Sequence, residues 1–304
     1  MNMNARMPQA DYPSRIGLEQ ALEIVAACAA QHRLPVETAL LAGAHGRVLA
    51  EDVRALHALP LFTNSAMDGF ALRGEDLPVQ GERGFDLVGE VFAGATSAPE
   101  TGAGQCVRIT TGAPMPPCAD TVVIKENARV DGARVVVKAG EKAGANVRAA
   151  GEDYAEGELA VAAGIPLGAA QLAVLAALGV AQVEVRRRPR IAVIATGNEL
   201  VPAGQPIGFG QIHESNAVML AALAREAHAN VTVERCVHDE PDALRDALLD
   251  AAADADIIVS SGGVSAGEAD HLPGVLREIG DIHFHKVRLK PGMPTLFGRI
   301  GACL

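Results

Sequence analysis

The stretch Arg190–Leu200, RIAVIATGNEL, decides how the rest of the chain is read. Arg190–Ala195 is a short apolar strand, and it runs directly into the polar cluster Thr196-Gly197-Asn198-Glu199. Downstream the texture alternates. Ser215–Ala227 has helical spacing, with Ser215 or Asn216 as N-cap. Asn230–Cys236 reads as a strand. Pro241–Ala252 reads as a helix, with proline near its first turn and carboxylates at its positive end. Ile257–Ser260 is a buried strand leading into Ser261-Gly262-Gly263; a helix near Leu272–Ile279 and strands near Ile282–Leu289 and Thr295–Phe297 follow. Alternating strands and helices imply a mostly parallel, doubly wound sheet.

Working back toward the N-terminus, Gly151–Val185 is helical in texture. Ala169–Leu178 is its best helix, and Gly179 is placed as a left-handed C-cap. Between Pro60 and Gly151 the chain is rich in Gly and Pro, with short β-branched runs at Val107–Ile109, Thr121–Ile124 and Arg134–Val137. Asp131-Gly132 is a type I′ hairpin signal. This part reads as a small β domain. At the start, Leu18, Ala21, Leu22, Val25, Cys28 and Ala29 share one helical face. A short helix is expected near Val36–Leu41 and a strand over Arg47–Val53. The first helix is expected to pack beside Ala169–Leu178, which makes the β domain an insertion.

Bulk properties exclude several classes. With 304 residues, more than one hydrophobic core is expected. The formal net charge of −11 argues against a nonspecific nucleic-acid or anionic-membrane binder. There is no Trp and there are only two Tyr, so a base-stacking surface is disfavoured. The five cysteines form no C-x-x-C pair, which suggests reduced thiols in a cytoplasmic protein rather than a zinc site or a disulfide framework. Met1–Arg15 lacks the apolar core of a signal peptide, and no transmembrane run is seen.

In an open α/β sheet, ligands sit beyond the carboxyl ends of the strands. Thr196–Glu199, His238-Asp239-Glu240 and Ser260–Ser265 fall at those ends, with Glu268, Asp270 and His271 just beyond. Lys286, Arg288 and Lys290 decorate the next strand. Singly, each has a plain structural reading: a tight turn, a helix cap at Asp239, a solvated strand face for the lysines. Together they collect glycine amides, hydroxyls, carboxylates and cations on one rim. Such a rim can cradle phosphate. Its carboxylates, without a Cys/His set, suit a hard cation such as Mg²⁺. In the β domain, Asn64–Ala71, Arg108–Ala113, Arg148 and Gly151-Glu152-Asp153 form a second set. Turns account for Gly69, Gly112 and Gly151, but less well for Asp68 and Arg148.

In this order, PLFTNSAMDGFA (Pro60–Ala71), RITTGAP (Arg108–Pro114), GEDYAEG (Gly151–Gly157), ATGNEL (Ala195–Leu200), SSGGVSAGEAD (Ser260–Asp270) and KVRLKPGMP (Lys286–Pro294) resemble the molybdopterin molybdenumtransferase (MoeA) family, including the gephyrin E domain. The resemblance runs from about Ile16 to Phe297. It implies a multidomain α/β and β protein. A helical linking domain (1–55 plus 152–186) carries an inserted β domain (56–151), and a doubly wound molybdopterin-binding α/β domain (187–304) follows. It implies a homodimer, with the active site between the α/β domain of one subunit and the β domain of the other. It also implies adenylylated molybdopterin and molybdate as substrates, Mg²⁺-assisted AMP release, and contact with the adenylylating enzyme.

Carried over by motif, Asp68, Glu199, Asp239, Asp270, Lys286 and Lys290 are the catalytic candidates. Glu199 and Asp239 organise Mg²⁺, Asp270 positions the pterin or the metal-transfer step, and the two lysines hold molybdate or phosphate. Thr111, Arg148, Asp153, Ser261, Gly262, Gly263 and Ser265 are the substrate-binding candidates. Two departures stand out. Met293 replaces a second cation after Lys-Pro-Gly. The chain also ends at Leu304, before the family's Leu-Pro-Gly-Asn-Pro loop and C-terminal β-barrel, so an incomplete α/β domain is expected. The competing readings are an inactive, dimerising pterin-binding remnant and a pterin adenylyltransferase. The inserted domain with its Met67-Asp68-Gly69 island argues against the latter.

Overall fold

The computed structural model describes residues 12–263 and 271–304. The chain opens with strand β1 (Ser14–Ile16), helix α1 (Leu18–Gln31) and strand β2 (Val36–Leu40). A strand-rich region follows: β3 (Val53–Arg54), β4 (Asn64–Ser65), β5 (Gly69–Leu72), β6 (Glu82–Val91), β7 (Gln105–Ile109), β8 (Thr121–Ile124), β9 (Ala128–Asp131), β10 (Arg134–Lys138), β11 (Val147–Arg148) and β12 (Leu159–Val161). Helix α2 (Ala169–Ala177) and β13 (Gln182–Arg186) lead out of it. The remainder is β14 (Arg190–Thr196), β15 (Leu200–Val201), β16 (Ile212–His213), α3 (Asn216–Glu226), β17 (Asn230–Val237), α4 (Pro241–Asp254), β18 (Ile257–Ser261), α5 (Leu272–Ile279), β19 (Asp281–Val287) and β20 (Leu296–Arg299). Contacts divide the chain into two compact units, 1–37 with 186–304, and 38–185.

The first unit is built on β14. It pairs in parallel with β17 on one side and β18 on the other. Alternate side chains of a strand face opposite ways, and here both faces are covered. Ala192 and Ile194 pack on Leu244, Ala247, Leu248 and Ala251 of α4 and on α5. Ile191, Val193 and Ala195 pack on Ala217, Ala221 and Ala224 of α3. The alanines let α3 lie close to the sheet. This two-sided wrapping is the doubly wound layer expected from the sequence.

Three long-range pairings depart from the sequence reading. β19 and β20 do not extend the parallel sheet. They form a separate sheet with β1, in which β19 runs parallel to β1 and antiparallel to β20. Because β1 pairs Ile16 with Val287, and only Gly17 separates it from α1, that helix is delivered onto β19. Ala21, Ile24 and Val25 pack there with Phe284 and Val287. Helix α1 therefore lies with residues 186–304. Val36–Leu40 is a strand and not a helix, because it pairs with β13, where Thr38 donates to Glu184 at 2.6 Å. Its β-branched Val36 and Thr38 suit that state.

The second unit centres on a six-stranded sheet, ordered β8-β5-β7-β6-β10-β9. Phe70, Leu72, Phe85, Cys106 and Val123 fill one face, and Ala71, Val91, Val107, Ile109 and Val122 the other. The β9–β10 hairpin forms as the sequence signalled, but one residue further on. Arg134 pairs with Asp131, so the turn is Gly132-Ala133, with φ +63° at Gly132 alone. That is the type II′ pattern, glycine first. Over Arg47–Val53 the expected strand shrinks to isolated bridges at Val48 and Leu49, with Val53 opening β3. A further core gathers Ala44, Leu49, Val161, Leu167, Leu175, Val183 and Val185. This part carries one nine-residue helix, and is less helical than its sequence suggests.

Buried Asp256 fastens the edges of the first unit. Its carboxylate accepts from the Arg187 guanidinium at 2.8 Å and from the Arg190 amide at 2.7 Å, which fixes where β14 starts beside β18. Burial raises its pKa, but the bonds from Arg187 and Arg190 outweigh that and hold it below the usual carboxylate range. Asp256→Ala is expected to destabilise the fold by about 2–3 kcal/mol, since it strands a half-buried guanidinium and an amide. The depressed pKa makes this contribution present above the unfolded value of about 3.9 and lost as pH falls through the folded one. Urea melts of both proteins should differ by a constant amount near neutrality and converge below about pH 4. A gap unchanged at lower pH would mean that packing, not charge, is responsible.

Candidate functional site

At the carboxyl edge of the parallel sheet, Thr196 is level with Val237, and Ala195 with Ser261. Gly262 then turns back across the end of β14 at φ +98°, where a Cβ would sit 2.3 Å from the Thr196 carbonyl oxygen. Only glycine permits that approach. Gly263 follows at φ +65°. Beneath this turn the Thr196 hydroxyl is buried and, among the described residues, has no hydrogen-bond partner. A buried hydroxyl without a partner is costly, and it marks a place where a ligand group or water completes the bonding.

The rim around it is polar. Asn216, at the first turn of α3, donates to the Ser261 hydroxyl at 2.9 Å. The Asn198 side-chain oxygen accepts from the Asp239 amide at 3.2 Å and lies 3.2 Å from His238 Nδ1. The Glu199 carboxylate folds back over Gly197, where a Cβ would meet it at 2.8 Å. Glu214, rather than the Ser215 hydroxyl, caps α3 by accepting from the Ala217 amide at 2.6 Å. Residue 240 occupies the cap position of α4, so Asp239 is not spent on capping. Desolvation and then the negative charge of Glu214, Glu199 and Asp239 push the Cys236 thiol up. That thiol therefore registers the carboxylates around the end of β17.

The cations expected on this rim stand on or after a strand of a different sheet. Lys286 belongs to β19 at φ +70°, its amide bonded to the Thr295 carbonyl, and Lys290 follows in the turn before Pro291. Their sheet makes no ladder with β14, and among the described residues neither lysine forms an ion pair. Ser265 and Asp270 lie outside the described residues. Among those described, no group of three His, Cys, Asp or Glu side chains is placed to hold a metal.

In the second unit four of the candidate residues come together as two pairs. Asp68 accepts from the Thr111 amide at 2.9 Å and from the Thr111 hydroxyl at 3.0 Å. These bonds, the amide first, hold Asp68 below the ordinary carboxylate range, with Lys125 adding its charge from 3.6 Å. Glycine at 69 is required here too, since a Cβ would sit 2.1 Å from the Val123 carbonyl oxygen of β8. Arg148 donates to both oxygens of Asp153 at 2.7 Å. The sequence reading named Thr196 only within the Thr196–Glu199 cluster and Asn216 only as a helix cap, made neither a site candidate, and passed over Lys125. The signal for Thr196 was a hydroxyl placed directly at the end of the most apolar strand.

Comparison with known proteins covers both units. Residues 16–179 match the family described as MoeA N-terminal region (domain I and II), and residues 192–303 match a probable molybdopterin binding domain. A molybdopterin molybdenumtransferase of a Nostoc species is 40% identical over 83% of this chain and 58% of its own length. That of Haemophilus influenzae is 35% identical over 84% and 63%. Molybdopterin molybdenumtransferase 1 of Mycobacterium tuberculosis is 35% identical over 93% and 70%. The chain thus spans less than two thirds of the first two relatives. Two crystal structures of the molybdopterin biosynthesis MoeA protein from Pyrococcus horikoshii are also similar. One has TM-score 0.74 at 31% identity over 95% of this chain and 73% of that one; the other has TM-score 0.79 at 27% identity over 94% and 72%.

Two outcomes follow from the geometry. An NMR titration should place the Asp68 carboxyl below the ordinary value of about 3.9. Thr111→Val should raise it only part of the way, because the amide remains; an Asp68 titrating at the ordinary value would refute the contact. Gly262→Ala should cost at least about 2 kcal/mol, combining a strained φ with the clash on Thr196. A thermal melt indistinguishable from wild type would show that the turn can relax.

Proposed function

The chain belongs to the MoeA family, and from that premise we propose that it acts as a molybdopterin molybdenumtransferase, taking adenylylated molybdopterin and molybdate, placing molybdenum on the dithiolene and releasing AMP. The observation that carries this reading is the buried Thr196 hydroxyl beneath the Gly262-Gly263 turn, unpartnered among the described residues, at the sheet edge whose following loops carry Ser261, Asn216, Glu199 and Asp239. A glycine turn with hydroxyls beside it suits a phosphate. The carboxylates beside it suit a hard cation.

The donors fit Mg²⁺ in kind. They are oxygen atoms, and a site with one or two carboxylates completed by substrate phosphate and water is the usual Mg²⁺ arrangement. Glu199 and Asp239 would hold it, and when bound it would neutralise charge developing on the phosphoanhydride. The chain's own residues do the remainder. Ser261, Gly262 and Gly263, with Ser265, receive the pterin phosphate. Lys286 and Lys290 neutralise molybdate, with Met293 leaving that oxyanion one cation fewer. Asp270 positions the pterin or the metal-transfer step. In the second unit Asp68 is held ionised by Thr111, and Arg148 by Asp153, so each presents a fixed charge to substrate.

This proposal includes a homodimer, contact with the molybdopterin adenylyltransferase and a cytoplasmic setting. Among the described residues, no helix is long and apolar enough to cross a membrane. We also propose a linking layer formed by residues 38–55 together with 152–186, with 56–151 as its β insert; the separate core around Leu49, Leu167 and Leu175 supports it, whereas residues 1–37, expected there from the sequence, pack with 186–304.

A single-turnover assay of the whole chain with adenylylated molybdopterin, Mg²⁺ and molybdate tests the reading. Molybdate-dependent AMP release is expected, and Asp239→Ala should slow it by about a hundredfold. Absence of AMP release from wild type would overturn the proposed activity. An Asp239→Ala protein with unchanged rate and Mg²⁺ dependence would overturn the role given to that carboxylate.

A further inference from the structure

We infer that Thr295 is a positioning residue for oxyanion capture. Through its hydroxyl and its backbone it holds Lys286, and the loop that carries Lys290, in the shape in which both lysines serve one tetrahedral oxyanion. The inference rests on the role proposed above for those lysines. The loop joins the end of β19 to the start of β20, and residues 290–294 are exposed throughout. Packing therefore cannot fix it, and hydrogen bonds from its two ends do. On the β19 side, the Arg288 amide donates to the Ile16 carbonyl of β1 and the Leu289 amide to the Val287 carbonyl, each at 2.8 Å. On the β20 side the bonds meet at Thr295. Its carbonyl accepts from the Lys286 amide at 2.7 Å, its amide donates to the Met293 carbonyl at 2.9 Å, and its hydroxyl donates to the Gly292 carbonyl at 2.8 Å.

One residue thus grips both lysine-bearing segments. The strand ladder reaches His285 opposite Leu296, and beyond that pair Thr295 takes over. Lys286 stands at φ +70°. A left-handed lysine is costly and persists only where neighbouring bonds over-determine it, a pattern common at functional sites. The bond from its amide to Thr295 is one such constraint. Gly292, at φ +107°, lies two residues past Lys290, so the hydroxyl bond closes the turn that follows that lysine. Any residue at 295 could supply the amide and the carbonyl; the hydroxyl is what threonine adds. Valine would suit the strand end equally well, so shape does not account for the choice. Lysine carries a point charge on a flexible four-carbon stem. The fold can therefore set only where each stem begins. Among the described residues neither ammonium is held in an ion pair, so both are free for an oxyanion. A loop set in advance spares the ligand the cost of ordering it, which raises affinity without touching the chemical step.

Thr295→Val keeps the shape and both backbone bonds and removes the hydroxyl. In the whole chain, with Mg²⁺ and adenylylated molybdopterin, it should raise the KM for molybdate about fivefold, the scale of one neutral hydrogen bond. The rate at saturating molybdate and the KM for the pterin should stay within about twofold of wild type. Calorimetry with molybdate alone should show the same weakening, and Lys286→Gln should weaken that binding at least about tenfold, which assigns it to this loop. Thr295→Ser should restore wild-type values in both assays. Equal molybdate affinity in wild type and Thr295→Val would overturn the inference. So would a Thr295→Ser protein as weak as Thr295→Val, or a lower rate with both KM values raised, which marks a general loss of structure. Weaker molybdate binding by Thr295→Val in a chain that releases no AMP would uphold the inference and remove the transferase reading. Normal turnover with the KM for molybdate unmoved would do the reverse.

Discussion

At several glycines the main chains of this protein come closer than a side chain allows, and the candidate sites depend on two of them. Gly262 crosses the end of β14 against the Thr196 carbonyl, and Gly69 runs against the Val123 carbonyl. The first approach buries the Thr196 hydroxyl under a turn of two left-handed glycines. The second lets β5 sit tightly between β7 and β8, so that Asp68 reaches Thr111 on one side and Lys125 on the other. A side chain at either glycine would open the gap that defines the site.

Around these approaches the two units solve the same problem differently. In the first, β14 is apolar on both faces and must be wrapped by helices from both sides, which leaves only its carboxyl edge open to ligands. Asp256 then sets the starting register of β14 against β18 through a charged side chain and an amide. In the second unit, apolar side chains fill both faces of a six-stranded sheet, and polar residues gather where β5, β7 and β8 end. A strongly acidic chain can therefore carry sites for anionic ligands. Net charge governs long-range attraction, whereas two or three local cations and a row of amides govern capture.

Much of the fold was legible along the chain. Arg190–Thr196, Asn230–Val237 and Ile257–Ser261 form strands where short apolar runs predicted them, and α2 through α5 form where the helical period lay. Local chemistry marked the Gly179 cap and the β9–β10 hairpin, though the hairpin's turn moved by one residue because pairing of Asp131 with Arg134 fixed the register. Val36–Leu40 was misread as helix. Five residues carry too little periodicity to separate the two states, and its partner strand lies some 145 residues away. The ordered motifs from Pro60 to Pro294 pointed to the family that the comparisons then showed.

What the sequence by itself determined was the set of elements, the glycines that needed their freedom and the family. Each of these is written in residues near one another in the chain. Tertiary structure alone decided that α1 lies on β19, that β19 and β20 leave the parallel sheet, that the Thr196 hydroxyl is buried beneath Gly262 and Gly263, and that Lys125 and Thr111 meet Asp68. Those outcomes depend on register and on pairing between distant segments. A one-residue slip would move every one of these side chains to the opposite face, and no local pattern in the chain specifies that register.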